Sequence, residues 1–204
     1  MKAVWGIVGA MALGSSSFAA IVGTTGAAVL VAPPPSLASG VYVHSTQVRV
    51  MNEKTNVLFT GVVDRLFPPI GVPQTLFTVA PALIGPVRVN SHLIHFDNKN
   101  VPQAGPVTGT VTFDKAIIGV IYTNTRLDAS DAALGNLGTV YPFGHLNRGF
   151  SGVIDTFTLL SPFTLRFTLA NGGEMDQIRV LTVPAPATGV CGGALLVAAR
   201  RRRR

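Results

Sequence analysis

Residues 40–182 form a series of short segments rich in Val, Thr, Ile and Phe, and proline or glycine interrupts them every few residues. Proline fixes its own φ and cannot donate to a sheet ladder, so it interrupts long helices and central strands alike. β-branched and aromatic residues favour strands. About nine short strands with almost no helix predict two packed antiparallel sheets, an all-β body that is a β-sandwich or jelly roll.

Individual strands follow from alternation and from turn residues. We expect strands at 41–48, 57–63, 87–96, 107–113, 117–123, 155–160, 164–170 and 175–182. The 107–113 and 117–123 segments predict a hairpin across Asp114-Lys115, and Asn171-Gly172-Gly173 predicts a hairpin turn before the last strand. The expected core includes Phe113, Ile118, Phe157, Phe167 and Ile178.

Residues 128–134 are the one helical candidate. Asp128 is placed to cap its first turn, and Asp131 follows three residues later, where the carboxylate of a capping box would lie. Gly135 is expected to end the helix.

The net charge of +7 is concentrated at the ends of the chain. With Lys2 and Arg200 to Arg204 set aside, the 16 basic residues fall to ten, against nine acidic ones. A body this close to neutral offers no basic surface to a phosphate backbone, which excludes nucleic-acid binding. The single cysteine, Cys191, allows no intramolecular disulfide.

Residues 1–38 have the composition of an export leader followed by an apolar, proline-rich stretch. Lys2 supplies the positive charge, residues 3–13 the apolar core, and Ser17-Phe18-Ala19 the small-x-small pattern of a signal-peptidase site. We expect cleavage after Ala19 or, because Ser36-Leu37-Ala38 has the same pattern, after Ala38. An uncleaved anchor is the alternative.

Residues 183–204 combine a proline hinge, an apolar run and five arginines. Pro184 and Pro186 prevent a continuous helix or ladder before the run. The run prefers lipid, whereas the arginines cross hydrocarbon only at high cost and remain on the cytoplasmic side. The tail therefore predicts a short apolar anchor helix followed by a stop-transfer cluster. The main anchor residues are Gly189, Leu195, Leu196 and Val197. The stop-transfer cluster consists of Arg200, Arg201, Arg202, Arg203 and Arg204.

This order of parts resembles the PEP-CTERM sorting signal of exported bacterial proteins, which the membrane enzyme exosortase processes. Pro184-Ala185-Pro186 stands in the position of the Pro-Glu-Pro motif, with Ala185 in place of the family's Glu. The apolar run from 189 to 199 is short, since about 1.5 Å per residue covers roughly half to two-thirds of a ~30 Å hydrocarbon core.

The resemblance implies an exported protein that is anchored in the inner membrane, processed by exosortase, and then found at the cell surface or outside, near exopolysaccharide. Three segments of the body, S-H-L-I-H-F-D, L-D-A-S-D-A-A-L-G and D-Q-I-R-V-L, are also similar to uncharacterised exported domains that carry such a tail.

His145, Ser151 and Asp155 lie close together in the sequence and raise the possibility of a hydrolase. Ser151 lies in Gly149-Phe150-Ser151-Gly152, so the G-x-S-x-G elbow is absent, and we assign no catalytic residue. The loop 138–148 offers a different site, because aromatic faces stack on sugars and polar side chains bind their hydroxyls. The candidate glycan contacts are Tyr141, Phe143, His145 and Asn147, and the alternative is that Tyr141 and Phe143 pin the loop to the core.

Metal-ligating residues are sparse. His92 and His95 point to opposite faces of a strand and cannot share one ion. His95 and Asp97 share a face, but two ligands do not make a zinc site, so a surface hydrogen bond is expected there. The segment 97–100 predicts a turn with Asx hydrogen bonds. An acidic set is a weak calcium candidate if loops bring it together at one end of the sandwich, and it consists of Asp128, Asp131, Glu174 and Asp176. No cofactor is expected.

The sequence therefore favours a non-enzymatic envelope or extracellular-matrix protein, sorted through its tail. A carbohydrate-binding module that uses the 138–148 loop is the alternative, and a hydrolase is the second alternative.

Overall fold

The computed structural model describes residues 20–101, 105–151, 154–169 and 175–184, and these residues form an all-β sandwich with one α-helix. The prediction of two packed sheets is confirmed. The elements in chain order are β1 Ile21–Gly26, β2 Ala28–Leu30, β3 Val48–Val63, β4 Arg65–Leu66, a 3-10 helix Leu76–Thr78, β5 Ala82–Asp97, β6 Val107–Phe113, β7 Ile117–Ile121, α1 Asn124–Leu134, β8 Thr156–Ser161, β9 Thr164–Leu169 and β10 Met175–Thr182.

Two sheets of unequal size make up the sandwich. The small sheet has the order β1-β6-β9-β8 and is antiparallel throughout. The large sheet has the order β2-β3-β5-β10-β7-β4, in which β2 and β3 run parallel and the other neighbours run antiparallel.

The main hydrophobic core lies between the sheets, because each strand turns alternate side chains inward. Phe113, Phe157 and Phe167 enter it from the small sheet, and Ile178 enters it from the large one. Ile118 is buried in a second cluster on the other face of the large sheet. All five residues are buried, which confirms the predicted core.

Helix α1 covers the outer face of the large sheet through Leu127 and Leu134. It begins four residues earlier than the sequence predicts, and Asp128 lies inside it instead of capping it. No side chain caps the helix, and the segment that leads into it is held by Asp64, whose carboxylate accepts the N–H groups of Tyr122 at 2.7 Å and Thr123 at 2.8 Å. Gly135 ends the helix as predicted, since its N–H donates to the Asp131 carbonyl. A Cβ at Gly135 would lie 2.6 Å from that oxygen.

The predicted hairpin between 107–113 and 117–123 is wrong. β6 belongs to the small sheet and β7 to the large one, so the link 114–116 crosses between sheets. The burial of β7 explains this, because all five of its residues are buried and it therefore needs cover on both faces. It has the core on one side and α1 on the other.

A second predicted hairpin, between the last two strands, is also wrong. β9 pairs with β6 and β8, whereas β10 pairs with β5 and β7 in the other sheet. The turn residues 171–173 lie outside the described residues. The hairpin of β8 and β9 around Ser161-Pro162 does form.

The segment 41–47 consists of turns and bends rather than the predicted strand. It crosses the end of β5 at Asp97. The carboxylate of Asp97 accepts the N–H of Gly40, and its backbone carbonyl accepts the N–H of His44. The same carboxylate accepts the Lys99 N–H at 2.9 Å, which is the Asx turn that the sequence predicts there. These contacts to one residue hold the segment across the strand end, so it cannot pair alongside β5.

The structure differs from the predicted start of the body at Gly40. β1 pairs along β6, and β2 pairs with β3, so residues 21–30 complete both sheets. Ile21, Ala28 and Leu37 are buried at 5%, 6% and 0% exposure. The stretch that follows the first predicted cleavage site is therefore part of the sandwich.

No helix among the described residues is long and apolar enough to span a membrane. The predicted anchor and stop-transfer residues of the tail, and the first 19 residues, lie outside the described ranges.

Candidate functional site

The outer face of the large sheet carries a buried ionic network beneath α1 and the loop 136–150. We call it the arginine network, and its members are Glu53, Asp128, Asp131, Tyr141, Arg148, Gln177 and Arg179. Strand alternation explains its position, because Gln177 and Arg179 point away from the core that Ile178 and Val180 enter.

Arg179 is the centre of the network and is fully buried. Its Nε and Nη2 donate to the two carboxylate oxygens of Glu53, each at 2.8 Å. Nη2 also donates to Asp131 Oδ1 at 3.0 Å, and Nη1 donates to Ser130 Oγ at 2.5 Å. The guanidinium therefore joins β10, β3 and α1.

Arg148 is the second buried guanidinium and fixes the loop to the helix. Its Nη1 donates to Asp128 at 2.7 Å and to Asp131 at 2.6 Å, and its Nη2 donates to the other oxygen of Asp131 at 2.7 Å. Its Nε donates to Gln177 Oε1 at 2.7 Å. Because arginine only donates, the Gln177 oxygen must face Arg148.

That orientation determines the tautomer of His95. The Gln177 amide nitrogen faces His95 Nδ1 at 2.9 Å and donates to it, so the proton of the neutral ring is on Nε2. Burial lowers the pKa of His95 to about 4, which keeps the ring neutral. The prediction of a surface hydrogen bond is wrong here, because the side chain is 0% exposed.

His92 lies on the opposite face of β5, between the sheets. Its ring is 4.8 Å from that of Phe113, and its Nδ1 lies 2.7 Å from Asn52 Oδ1. Its Nε2 lies 3.1 Å from Thr182 Oγ1. Burial lowers the pKa of His92 to about 4. The two histidines therefore lie on different faces, as their spacing predicts, and both are buried rather than at the surface.

The surroundings of Glu53 and Arg179 favour the charged form of both side chains. Burial would raise the pKa of Glu53, but the charge of Arg179 and hydrogen bonds from Arg179, Ser91 and Tyr141 hold it below its ordinary value. Burial also opposes the charged form of Arg179, but the charge of Glu53 outweighs this effect and raises the pKa of the guanidinium. The two buried arginines thus pair with three carboxylates within the fold, which leaves one net negative charge.

Tyr141, a candidate glycan contact, belongs to this network. Its hydroxyl donates to Glu53 at 2.7 Å and accepts the Asn136 N–H at 2.6 Å. The guanidinium carbons of Arg148 and Arg179 lie 5.6 and 5.4 Å from its ring centroid. Tyr141 therefore pins the loop to the core. Phe143, the other residue considered for pinning the loop, is 81% exposed.

A groove of about 380 Å³ lies at the start of α1, next to the last residues of the loop. Asn147 lines this groove together with Asn124, Leu146 and Ser151. His145 is half-buried, and its Nδ1 accepts the Asn147 N–H at 3.3 Å. The loop therefore presents Phe143, His145 and Asn147 on a support that Tyr141 and Arg148 hold in place.

The residues considered for a hydrolase make local contacts. Asp155 is buried and accepts the backbone N–H of Ser151 at 3.1 Å, while the ring of His145 accepts the N–H of Asn147. These bonds are those of turns in the chain. Ser151 itself is exposed at the groove.

The acidic set considered for calcium is divided between two faces of the large sheet. Asp128 and Asp131 bind Arg148 on the outer face, where a guanidinium occupies the position that a cation would take. Asp176 points inward from β10, since Ile178 on the same side enters the core. Glu174 lies outside the described residues. Among the described residues, no group of three or more His, Cys, Asp or Glu side chains is arranged to hold a metal ion.

Sequence reasoning did not single out Glu53, Arg148 or Arg179. A signal was present, because Arg179 interrupts an apolar run, with Ile178 before it and Val180 and Leu181 after it. A charge at such a position requires a buried partner. The partner is 126 residues away, so the sequence alone does not identify it.

Comparison with known protein families, with curated proteins and with solved structures finds no match to this chain.

Proposed function

We propose that this chain is an exported, non-enzymatic protein of the bacterial envelope or extracellular matrix, held at the inner membrane by residues 183–204 and then processed. The tail residues support this proposal. Arginine costs about 2.5–3.5 kcal/mol at the bilayer centre, so five in succession stop translocation and leave Pro184-Ala185-Pro186 outside the membrane.

The observation that carries the proposal is the position of the two ends of the sandwich. Ala20 exchanges hydrogen bonds with Asp114 at 2.9 and 3.1 Å, and the N–H of Val183 donates to the Ala116 carbonyl at 3.0 Å. The segments before residue 20 and after residue 184 therefore start from the same end of the body. This geometry suits a protein whose leader and tail both engage one membrane.

The arginine network supports a structural role for the body. Its charged groups bind one another, and they hold α1 and the loop against the sheet. Near-neutral charge and Thr-rich strands suit a protein that lies among uncharged exopolysaccharide chains, which are the proposed surroundings.

The test is the mass of the mature C-terminus in the native host. We expect a cut at or near Pro184-Ala185-Pro186 by an exosortase-type enzyme, with the body released from residues 189–204. Ala185→Glu restores the family motif and should leave processing equal or better. Replacement of Arg200 to Arg204 by serine should give unprocessed protein in the periplasm. A chain that ends intact at Arg204, with or without exosortase, would reduce the tail to a plain anchor.

A second candidate function is glycan binding by the loop that the arginine network supports. The observation that favours it is an aromatic ring, Phe143, standing 81% exposed on a loop next to a groove that Asn124 and Asn147 line. An exposed ring suits an apolar sugar face, and amide groups in a groove suit sugar hydroxyls.

Phe143→Ala is the variant that tests this candidate, because Phe143 is exposed and its loss leaves the network intact. We expect binding on a glycan array to disappear in this variant while the free energy of unfolding changes by less than about 0.5 kcal/mol. Tyr141→Phe is the control, since it removes a hydroxyl from the network and leaves Phe143 in place. Binding that survives Phe143→Ala would exclude the loop.

A further inference from the structure

Four apolar side chains form an exposed patch at the end of the sandwich where the chain enters and leaves. We call it the end patch, and it consists of Phe67, Ile70, Leu160 and Phe163, which are 67%, 56%, 46% and 45% exposed. Monomeric proteins rarely group large apolar side chains on their surface without a partner.

Backbone hydrogen bonds connect the end patch to the chain exit. The N–H of Phe67 donates to the Ile118 carbonyl at 2.9 Å, and the N–H of Ile117 donates to the Pro162 carbonyl at 2.8 Å. Ile70 forms a bridge with Leu159. Ala116, which precedes Ile117, accepts the N–H of Val183, the first residue of the predicted sorting tail and the last but one that the structure describes.

Phe67 is held in an unfavourable backbone conformation while its side chain faces outward. Its φ is 45°, in the left-handed region that bulky residues rarely adopt. Such strain costs roughly 1 kcal/mol, and burial does not offset it in a side chain this exposed. The body therefore keeps a strained residue whose ring gains little from burial within the body itself.

The length of the tail indicates which partner this is. Residues 185–188 alone separate Pro184 from the predicted apolar run at Gly189. Fully extended, this connection spans at most about 18 Å. A body on so short a connection must keep its exit end close to the bilayer for as long as the tail is anchored.

We propose that the end patch lies in the lipid interface, with its phenylalanines among the headgroups and upper acyl chains. Exposed aromatic and aliphatic side chains partition there, and Lys115, in the link beside the exit, is placed to meet anionic headgroups. This inference rests on the proposed anchoring function. It adds that the body docks on the membrane in one orientation, with the Asp114–Ala116 end down and the loop 136–150 away from the lipid.

The experiment uses the full chain in vesicles of phosphatidylcholine and phosphatidylglycerol, with and without brominated acyl chains. Trp5, the only tryptophan, is replaced by Phe, and a single reporter is introduced as Phe163→Trp. Leu146→Trp is the matched control, because Leu146 is 83% exposed and lies beside the start of α1. That position follows the end of β7 that is opposite to the end patch. We expect brominated lipid to quench the reporter at 163 at least about two-fold more than the reporter at 146.

A second variant tests the part that Phe67 plays. Phe67→Asn accepts the left-handed conformation and removes the ring, so it should lower quenching of the reporter at 163 without lowering stability. Vesicle flotation separates the proposed membrane anchor from the proposed docking of the end patch. A chain that floats without preferential quenching at 163 would overturn the docking inference and leave the anchor in place. A reporter at 163 whose emission shifts to the blue without quenching would indicate a second copy of the chain instead of lipid, and would overturn it also. A chain that does not float would overturn the anchor and the inference together.

Discussion

Arg179 on β10 and Glu53 on β3 form a bidentate ion pair across the intervening strand β5, with both hydrogen bonds at 2.8 Å and both side chains fully buried. Asp131 of α1 accepts a third bond from the same guanidinium, so one side chain connects the sheet to the helix that covers it. The pair is also the support on which Tyr141 rests through its bond to Glu53. The position of the exposed loop thus depends on two residues far from it in sequence.

Arg179→Met should destabilise the protein strongly. The substitution leaves Glu53 buried without its cation, and breaking a buried pair in this way costs about 3–5 kcal/mol. Urea unfolding measures the loss. Arg166→Met is the matched control, because Arg166 is an exposed arginine on β9 and its removal should cost less than about 0.5 kcal/mol. Equal losses for the two variants would show that the ion pair contributes nothing particular.

Stability should fall as the pH drops from 6.5 towards 4, because two histidines are buried in the neutral state. The pKa values of His92 and His95 are about 4 in the folded protein, against an ordinary value of 6.5. In this window the unfolded chain binds protons that the folded chain does not, so each histidine lowers the free energy of unfolding by roughly 1 kcal/mol per pH unit.

His95→Gln tests the pH effect directly. The variant removes one titrating ring, so its free energy of unfolding should depend less steeply on pH between 6.5 and 4 than that of the parent protein. Ile178→Val loses core packing without changing a titratable group and should shift the whole curve down with its slope unchanged. The idea fails if His95→Gln behaves as Ile178→Val does.

Local pattern predicted the strands from β6 onwards well, but it missed β1 and β2 and predicted a strand at 41–48 that does not form. It predicted the pairing of the strands poorly. Leu165, Phe167 and Leu169 alternate along β9 and are all buried, as a strand with one face on a core requires. The run Ile117–Ile121 is apolar at every position, which is the signal of a strand buried on both faces. That signal argued against the hairpin with 107–113. Sheet assignment, by contrast, depends on contacts distant in sequence, which periodicity does not contain.

The arginine network also depends on contacts between residues distant in sequence, so the sequence pattern does not predict it. Asp128 and Asp131 have the spacing of helix-capping or calcium-binding carboxylates, and no local feature distinguishes these roles from binding Arg148. Only the packing of the loop onto α1 brings the three side chains together. The bonds from Asp64 to the segment before the helix are equally hidden, since Asp64 lies 59 residues from Thr123.

Asp64→Ala should loosen the start of α1. The buried carboxylate accepts two backbone N–H groups and the Thr123 hydroxyl, and it pairs with Arg126. Its removal leaves buried donors unpaired, at about 1–3 kcal/mol each. Hydrogen exchange should then become faster at Tyr122 and Thr123. Arg126→Met is the control, because the Arg126 side chain is 27% exposed and water can replace its bond. Exchange that accelerates equally in both variants would contradict the view that Asp64 holds the start of α1 in place.

The mature chain is expected to begin at Ala20, and the region 20–184 is expected to be the smallest part that folds. Cleavage after Ala19 leaves β1 whole and converts the Ala20 nitrogen, 2.9 Å from Asp114 Oδ1, into an ammonium that the carboxylate can pair with. Cleavage after Ala38 would remove β1 and β2. The unpaired edge of β6 would then be exposed, and the buried side chains of Ile21, Ala28 and Leu37 would be lost.

The mass of the exported protein identifies the cleavage site, and two fragments test the boundary. Residues 20–184 should give a β-type circular dichroism spectrum and a cooperative thermal transition. Residues 40–182 should unfold at a much lower temperature or fail to fold, because burying side chains such as Ile21 and Leu37 contributes about 1.5–3 kcal/mol each, an appreciable part of the stability of a domain this size. Equal transitions for the two fragments would return residues 20–39 to the leader and make β1 and β2 dispensable to the sandwich.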